Sequence, residues 1–87
     1  KEIHPALEGA TLTNGKTEQG DNGVVISEVI SRSPASRIGL QDGDVIIGIN
    51  RKKVDSLVQL RTELDNAKGV IALNVKRGNS TLYLVIR

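Results

Sequence analysis

Apolar residues cluster along this chain in five short stretches, separated by glycine, asparagine and charged residues. Each stretch either alternates loosely between apolar and polar positions or is a run of β-branched residues, and both patterns are typical of strands. The predicted strands are Leu7–Thr13, Gly23–Ile30, Val45–Ile49, Val70–Lys76 and Ser80–Ile86. Because the inward positions of the second strand slip phase once, a bulge is predicted near Ser27.

Turn-forming residues mark the ends of these strands. Asn14-Gly15 is predicted to end the first strand, and the polar residues around and after it predict a mobile loop over 14–22. Asp42-Gly43 predicts a tight turn before the third strand, and Asn50 a turn after it. Gly78-Asn79 joins the last two strands into a predicted hairpin.

A short helix is predicted between the second and third strands. Ser33 can cap it, and Pro34 suits its first position, where a missing N–H costs nothing. Gly39 offers the left-handed conformation that ends a helix, and Leu40 can fold back as its apolar contact.

A longer helix is predicted after Ser56, which forms a capping box with Gln59 three residues on. Its apolar positions recur at helical spacing: Leu57, Leu60, Leu64 and Ala67. Gly69 is well placed just past the end of this helix. The order of elements is therefore strand, strand, short helix, strand, long helix, strand, strand, which is an α+β arrangement.

Composition limits the size and chemistry of the fold. The 87 residues suit one domain, 1–87, whose core must be aliphatic because Tyr83 is the one aromatic residue. With no cysteine, disulfides and thiolate metal sites are excluded, although this does not decide between a reducing and an oxidising compartment. Since the chain starts at Lys1 without a methionine, we expect it to be a piece of a longer protein.

The charge pattern argues against nucleic acid as a partner. The net charge is +2, from 12 basic and 10 acidic residues, and the one basic cluster is Arg51-Lys52-Lys53, where a solvated turn is expected. Nucleic-acid binding would favour a basic stripe with stacking aromatics, which one tyrosine does not supply. No apolar stretch approaches membrane-spanning length and there is no signal peptide, so neither a membrane span nor a targeting segment is predicted.

The run from Ser33 to Asn50 resembles the PDZ family, in which a short helix, a Gly-Leu step and a Gly-Asp turn lead into a central strand. The matching residues are Pro34-Ala35, Gly39-Leu40, Gly43-Asp44 and Val45-Ile46. The resemblance implies a domain that binds peptides, usually a C-terminus, by letting the peptide add a strand to an exposed sheet edge.

Three further segments, Pro5–Leu12, Asp44–Asn50 and Arg77–Arg87, resemble the second PDZ domain of bacterial Deg-type (high-temperature-requirement family) serine proteases. The resemblance implies the circularly permuted bacterial PDZ form, a small, partly open antiparallel β-barrel or sandwich with one short and one long helix. It also implies a parent protein that is a periplasmic quality-control protease and chaperone. In that family this domain is not catalytic and mainly mediates contacts with neighbouring PDZ domains of other subunits, from which larger assemblies form.

In PDZ domains, consecutive backbone N–H groups of a loop before the first strand bind the peptide carboxylate. The resemblance places this loop at His4-Pro5-Ala6-Leu7, followed by a strand that starts with Glu8 and Gly9. The opposite wall is a second stripe of the long helix, which is rotated by roughly 60° from its core-facing stripe. This stripe consists of Leu57, Arg61 and Leu64. An alternative register, Leu7-Glu8-Gly9-Ala10, restores a glycine but puts Glu8 beside the carboxylate.

Two residues of the first register depart from the family pattern. Pro5 has no N–H to donate, and Ala6 stands where glycine is usual. Losing one charge-assisted hydrogen bond costs roughly 1.5–3 kcal/mol, or about ten- to a hundredfold in affinity. We therefore expect weak or degenerate peptide binding, with apolar residues preferred opposite Leu57. Arg61 either meets an acidic group or lies over the groove.

Other functions remain as alternatives. The domain could instead recruit apolar C-termini of unfolded substrates, or belong to another envelope protein. Serine-type catalysis needs a nucleophile, a base and an orienting acid, and the one histidine, His4, lies next to a proline near the terminus. His4 also lacks partner ligands at metal-binding spacing, so no catalytic activity, metal or other cofactor is expected.

Overall fold

The structure is a computed structural model that describes residues 7–67 and 69–86. Its elements are β1 Ala10–Lys16, β2 Asn22–Val29, α1 Pro34–Arg37, β3 Val45–Ile49, β4 Lys52–Lys53, α2 Leu57–Asn66, β5 Ile71–Arg77 and β6 Ser80–Ile86. The strands form one antiparallel sheet in the order β1-β2-β3-β5-β6, with β4 paired to β3. The predicted α+β fold of the PDZ type, with one short and one longer helix, is confirmed.

The core lies between the inner face of the sheet and one side of α2, and it is entirely aliphatic. Alternate residues of β5 point inward, and Leu60 and Leu64 of α2 are buried with them. The apolar side chains that are at most 1% exposed are Val24, Ile26, Ala35, Ile46, Ile49, Val54, Leu60, Leu73 and Val75. Every second residue of a strand faces the same side, so the opposite face of β5 and β6 is left to solvent.

The bulge predicted near Ser27 is confirmed. Thr11 pairs with Glu28 and Leu12 pairs with Ile26, so Ser27 is the extra residue of β2. The bulge shifts the phase, so that Ile26 is fully buried and Val29, three residues on, is half-buried against the same core.

The predicted bounds of the first strand are wrong. β1 begins at Ala10 and continues through Asn14 and Gly15, which pair with Val24 and Gly23. The reversal occurs later because Thr17 closes it: its N–H donates to the Asp21 carbonyl at 2.8 Å and its hydroxyl accepts the Asp21 N–H at 3.1 Å. The connection is thus shorter than the predicted loop 14–22, and its mobility stays a prediction.

Capping starts both helices as predicted. The Ser33 hydroxyl accepts the Ser36 N–H at 3.2 Å, and the Ser56 hydroxyl accepts the Gln59 N–H at 3.2 Å. The Gln59 side chain accepts the N–H of Asp55, one residue before the cap, so the reciprocal bond of the capping box is displaced by one residue. α2 ends at Asn66, one residue short of the predicted apolar position Ala67, because Ala67 has extended backbone.

An ion pair with a buried carboxylate joins β5 to the segment between α1 and β3. Asp44 is 1% exposed and accepts from Arg77 Nε at 2.9 Å and Nη2 at 2.8 Å; Nη2 also donates to the Gly39 carbonyl at 2.8 Å. The hydrogen bond to Asp44 raises the pKa of Arg77 above its ordinary value, against the opposing effect of desolvation. This pair explains why Gly-Asp is followed by a strand here: Asp44 anchors the start of β3.

Candidate functional site

An edge strand and a helix form the two walls of a groove. β1 stands at the end of the sheet order and, among residues 7–67 and 69–86, pairs only with β2. The start of α2 lies close to it, since the Asn14 side-chain oxygen accepts the backbone N–H of Leu57 at 2.6 Å. An edge strand keeps unpaired N–H and C=O groups, so β1 can pair with an added strand.

The three stripe residues of α2 do not share one environment. Leu64 is 3% exposed and belongs to the core, whereas Leu57 is half-buried at its margin and Arg61 is exposed. A cleft of about 210 Å³ runs along this part of the helix, lined by Leu57, Val58, Arg61, Thr62 and Asp65. All five of these residues belong to α2, so the cleft lies along the helix; of the three stripe residues it exposes Leu57 and Arg61, whereas Leu64 is buried.

The segment before β1 is held by backbone bonds to the α1 region. The Glu8 carbonyl accepts the Ala35 N–H at 3.0 Å, and the Gly9 carbonyl accepts the Ile30 N–H at 2.9 Å. Gly9 has φ +96°, and a Cβ there would collide with Ser33, so packing alone requires this glycine. Leu7 is 3% exposed and joins the core.

The rest of the predicted carboxylate loop, His4, Pro5 and Ala6, lies outside the described residues. Both loop registers therefore stay hypotheses, and so does the weakened carboxylate site. Because Gly9 already has a structural role, its presence does not favour the register that would use it to bind a carboxylate.

Arg61 is the cation of the groove. Within the described parts of the chain no carboxylate oxygen lies within 4 Å of it, whereas the ion pairs Lys52–Glu63 and Lys53–Asp55 form nearby at 3.6 and 3.8 Å. Asp65, one turn further on, lines the same cleft and opposes the attraction of Arg61 for an anion. Arg61 is thus available to a carboxylate, with Asp65 as its competitor.

Asn14 is a groove residue that the sequence pattern missed. It was predicted to end a strand, yet it lies inside β1, and its side chain satisfies the first N–H of α2. Asparagine is a common helix-capping residue, but its partner is 43 positions away, so no local pattern could have paired them.

A second exposed surface lies on the outer face of β5 and β6. Tyr83 is 66% exposed and Val85 is 49% exposed, and they pair across the strands with Asn74 and Ala72. Beside them is a cavity of about 390 Å³, lined by Asn50, Arg51, Ala72, Asn74 and Tyr83. We call this surface the Tyr83 face; no motif in the sequence marked it.

Asn74 is one of the residues that line that cavity. Its side-chain oxygen is buried and has no hydrogen-bond partner, the one such side-chain atom found in the described residues. The amide packs over Gly48, where an added Cβ would lie 3.1 Å from Asn74 Nδ2. Asn50 holds the rim of the cavity, because its N–H donates to the Ala72 carbonyl at 2.8 Å and its side-chain oxygen accepts the Ala72 N–H at 2.9 Å.

Two other classes of site are not found in the described residues. No helix among residues 7–67 and 69–86 is long and apolar enough to cross a bilayer. Across the same ranges, no group of three or more His, Cys, Asp or Glu residues could hold a metal ion.

Relatives of known sequence are periplasmic proteases. The periplasmic pH-dependent serine endoprotease DegQ of Escherichia coli K12 is 48% identical over 85 residues, which cover 98% of this chain and 19% of DegQ. The periplasmic serine endoprotease DegP of the same strain is 45% identical over 86 residues, covering 98% of this chain and 17% of DegP. The chain thus spans about a fifth of the length of the curated relatives it matches.

Solved structures agree with this fold. The PDZ domain of HtrA3 bound to a phage-derived ligand (FGRWV) has a TM-score of 0.72 at 28% identity, covering 90% of this chain and 79% of that one. The PDZ domain of EpsC from Vibrio cholerae has a TM-score of 0.67 at 22% identity and supports the fold alone. The PDZ domain is a non-catalytic module, and the catalytic domain of the protease relatives lies elsewhere in those proteins. Since the family model described as PDZ domain matches residues 1–76, this chain belongs to the PDZ domain family.

Proposed function

We propose that this chain mediates contacts between subunits of a periplasmic serine protease, and that its own peptide groove binds weakly. The observation that carries the proposal is the Tyr83 face. It exposes the one aromatic residue of the chain next to Val85 and a cavity of about 390 Å³. Interface cores are enriched in aromatic residues and Arg, and both line this cavity.

The burial of the predicted pocket residues supports the proposal that the peptide groove binds weakly. Leu7 and Leu64, which were predicted to line the peptide pocket, are each only 3% exposed in the described structure. The sequence also lacks one N–H of the carboxylate loop, at Pro5. The burial of these two pocket residues and the loss of one donor fit weak binding, since affinity depends on well-filled pockets and satisfied polar groups.

The similarity to DegQ and DegP supports the cellular context. Both relatives are periplasmic serine endoproteases by name, and the match covers 98% of this chain. We infer the same kind of parent protein here: a protease that assembles through domains like this one and acts in quality control of periplasmic proteins.

The test compares the parent protease with and without these 87 residues by analytical ultracentrifugation. We expect the deletion to abolish the large assembly, whereas the smaller oligomer from which it is built and the proteolytic activity of that oligomer on casein should remain. Survival of the large assembly would refute the assembly role. Detectable casein cleavage by the 87-residue chain alone would refute its assignment as a non-catalytic module.

A second function, recruitment of apolar C-termini of unfolded substrates, is favoured by the open cleft at Leu57 and Val58, of which Val58 is 75% exposed. The similar HtrA3 PDZ domain was solved with a phage-derived ligand. Isothermal titration of this chain with apolar C-terminal peptides distinguishes the two functions. Low-micromolar affinity would favour recruitment, and affinity of tens to hundreds of micromolar would favour the weak groove.

A further inference from the structure

We propose that β6 pairs with β6 of a second copy of this chain, antiparallel and in a register that places Tyr83 opposite Tyr83. This inference rests on the proposed function, because it names the partner that would occupy the Tyr83 face. It depends on three features of β6: its position at the edge of the sheet, the direction of its unpaired backbone groups and its lack of charge.

β6 is an edge strand with one accessible side. Among the strands that the structure describes, it pairs with β5 alone and ends the sheet. Thr81, Tyr83 and Val85 are exposed, and Leu82 and Leu84 between them are half-buried. The described residues therefore leave this edge open to solvent along most of its length.

The hairpin determines which backbone groups of β6 point away from β5. Arg77 and Ser80 flank the two-residue turn Gly78-Asn79 and pair with each other, and the register then continues to the far end of both strands without a shift. The pair that flanks such a turn exchanges hydrogen bonds, and hydrogen-bonded pairs then alternate with pairs that exchange none. The residues whose N–H and C=O groups face the open edge are therefore Thr81, Tyr83 and Val85.

The hydrogen bonds of β5 agree with this assignment. Ala72 is the cross-strand partner of Val85. Its N–H donates to the Asn50 side-chain oxygen at 2.9 Å, and its carbonyl accepts the Asn50 N–H at 2.8 Å. Both backbone groups of Ala72 thus point away from β6, as they must in a pair whose members exchange no hydrogen bonds.

The lack of charge on β6 favours a second copy as the added strand. A strand that pairs with itself brings its own charges together, and like charges directly opposite each other are destabilising. Residues 80–86 contain no charged residue and no proline, which are two of the usual features that protect an edge strand from pairing. The other edge strand, β1, ends in Lys16 and is bonded to the start of α2 through Asn14. Of the two edges, β6 is the one suited to self-pairing.

The register centred on Tyr83 uses every free backbone group of this edge. Each Tyr83 exchanges two hydrogen bonds with the other, and Thr81 of each copy exchanges two with Val85 of the second copy. The two tyrosine side chains are neighbours at the two-fold axis, where an aromatic pair adds to the stability. Because this interface is isologous, it joins two copies and then closes, so it links two smaller oligomers without forming filaments.

The experiment measures amide hydrogen exchange of this 87-residue chain at about 20 μM and at about 1 mM, since an interface of two short strands is small and weak. Exchange of the Thr81, Tyr83 and Val85 amides should slow about fourfold at the higher concentration, as for a dissociation constant on the order of 100 μM. The Leu82 and Leu84 amides, which are bonded to β5, should exchange slowly at both concentrations. Sedimentation velocity gives the dissociation constant itself.

Two double variants test the register, because Thr81 and Val85 become cross-strand partners only when Tyr83 lies on the axis. Thr81→Lys with Val85→Lys places like charges opposite each other twice and should raise the dissociation constant about tenfold. The matched control, Thr81→Lys with Val85→Glu, places opposite charges at the same positions and should keep the dissociation constant within about threefold of the unmodified value. Thr81 and Val85 are exposed, so neither variant alters the core.

Equal dissociation constants for the two double variants would overturn the proposal. So would exchange at Thr81, Tyr83 and Val85 that does not depend on concentration, or protection that appears in β1 instead. Because these measurements use the isolated chain, they are independent of the parent protease.

The outcomes for this inference and for the proposed function can be told apart. A chain that does not dimerise at about 1 mM, together with loss of the large assembly on deletion, would refute this inference and leave the proposed function intact. A dimer through β6 together with an assembly that survives deletion would support the pairing and refute the proposed function.

Discussion

The groove and the Tyr83 face of this domain differ in how much of their side-chain chemistry is exposed. In the groove, Leu7 and Leu64 are buried in the core and the Asn14 side chain already accepts the first N–H of α2, while Leu57 is half-buried and Arg61 is exposed. On the Tyr83 face, an aromatic ring and a buried acceptor are left without a partner in the described structure. In this PDZ domain two of the predicted pocket residues, Leu7 and Leu64, belong to the core, whereas the one aromatic side chain, Tyr83, is exposed on the outer face of the sheet.

The largest expected effect separates the two surfaces by their role in assembly. Tyr83→Ser in the parent protease should abolish the large assembly, because it removes the aromatic contact of the Tyr83 face. Its control is Val58→Ser, which removes an even more exposed apolar side chain from α2 and should leave the assembly unchanged. Sedimentation velocity measures both. If the two variants behave alike, the distinction between the surfaces is wrong.

A second variant tests the scaffold that both surfaces share. Asp44→Asn should lower the free energy of unfolding by about 2 kcal/mol, less than for a fully buried pair because the Arg77 side chain is 35% exposed to water. Because the pKa of Arg77 is raised, the guanidinium stays charged up to and beyond its ordinary pKa and loses its charge only at higher pH. The decrease in the free energy of unfolding caused by Asp44→Asn should therefore be the same at pH 7 and pH 9.

Urea denaturation of both proteins at the two pH values measures this effect. Asp42→Asn is the matched control, because Asp42 is exposed and accepts one N–H, from Val29 at 2.8 Å, which the amide oxygen of Asn can still accept. A loss below about 0.5 kcal/mol in Asp44→Asn would show that the pair contributes no more than an exposed one.

A third variant tests whether the groove is weakened at its carboxylate loop. Pro5→Gly should strengthen binding of apolar C-terminal peptides about tenfold, because it restores one N–H that can donate to the carboxylate. Amidation of the peptide C-terminus should cancel the gain. Isothermal titration gives both values, and an unchanged affinity in Pro5→Gly would contradict the predicted position of the loop.

The smallest expected effect concerns charge in the groove. Arg61→Gln should weaken a peptide that carries a glutamate about threefold and leave the glutamine version of the peptide unaffected, as for a partly exposed ion pair. Asp65→Asn should strengthen the glutamate peptide by a similar factor, because it removes the competing carboxylate of the cleft. The critical result is that the two substitutions change the affinity for the glutamate peptide in opposite directions. Changes in the same direction would show that Arg61 lies over the groove without a role in recognition.

Local patterns predicted most of the fold. The capping serines Ser33 and Ser56, the strand Val45–Ile49 and the bulge at Ser27 were all recognisable, because each depends on residues that are neighbours along the chain. The end of β1 was missed, since Asn14-Gly15 has turn chemistry but is kept extended by its pairing with β2. Tertiary pairing overrode local preference at that point.

The candidate sites were predicted less completely. The groove residues on α2 were predicted from helical spacing and family resemblance. Spacing alone could not show that Leu64 is buried while Arg61 is exposed. The Tyr83 face was not predicted at all. Its cavity combines the turn at Asn50-Arg51 with side chains of β5 and β6, and these come together only when three parts of the sheet pair.

The sequence by itself determined the kind of fold, the aliphatic core and the missing N–H at Pro5, because these follow from residue chemistry and near-neighbour spacing. The tertiary structure alone decided which apolar residues stay exposed and which polar atoms lack a partner. The hydrogen bond from the Leu57 N–H to Asn14 spans 43 residues, and the side-chain oxygen of Asn74 is buried without a hydrogen-bond partner in the described structure. Exposure and hydrogen-bond satisfaction depend on every neighbour in space, and most of those neighbours are distant along the chain.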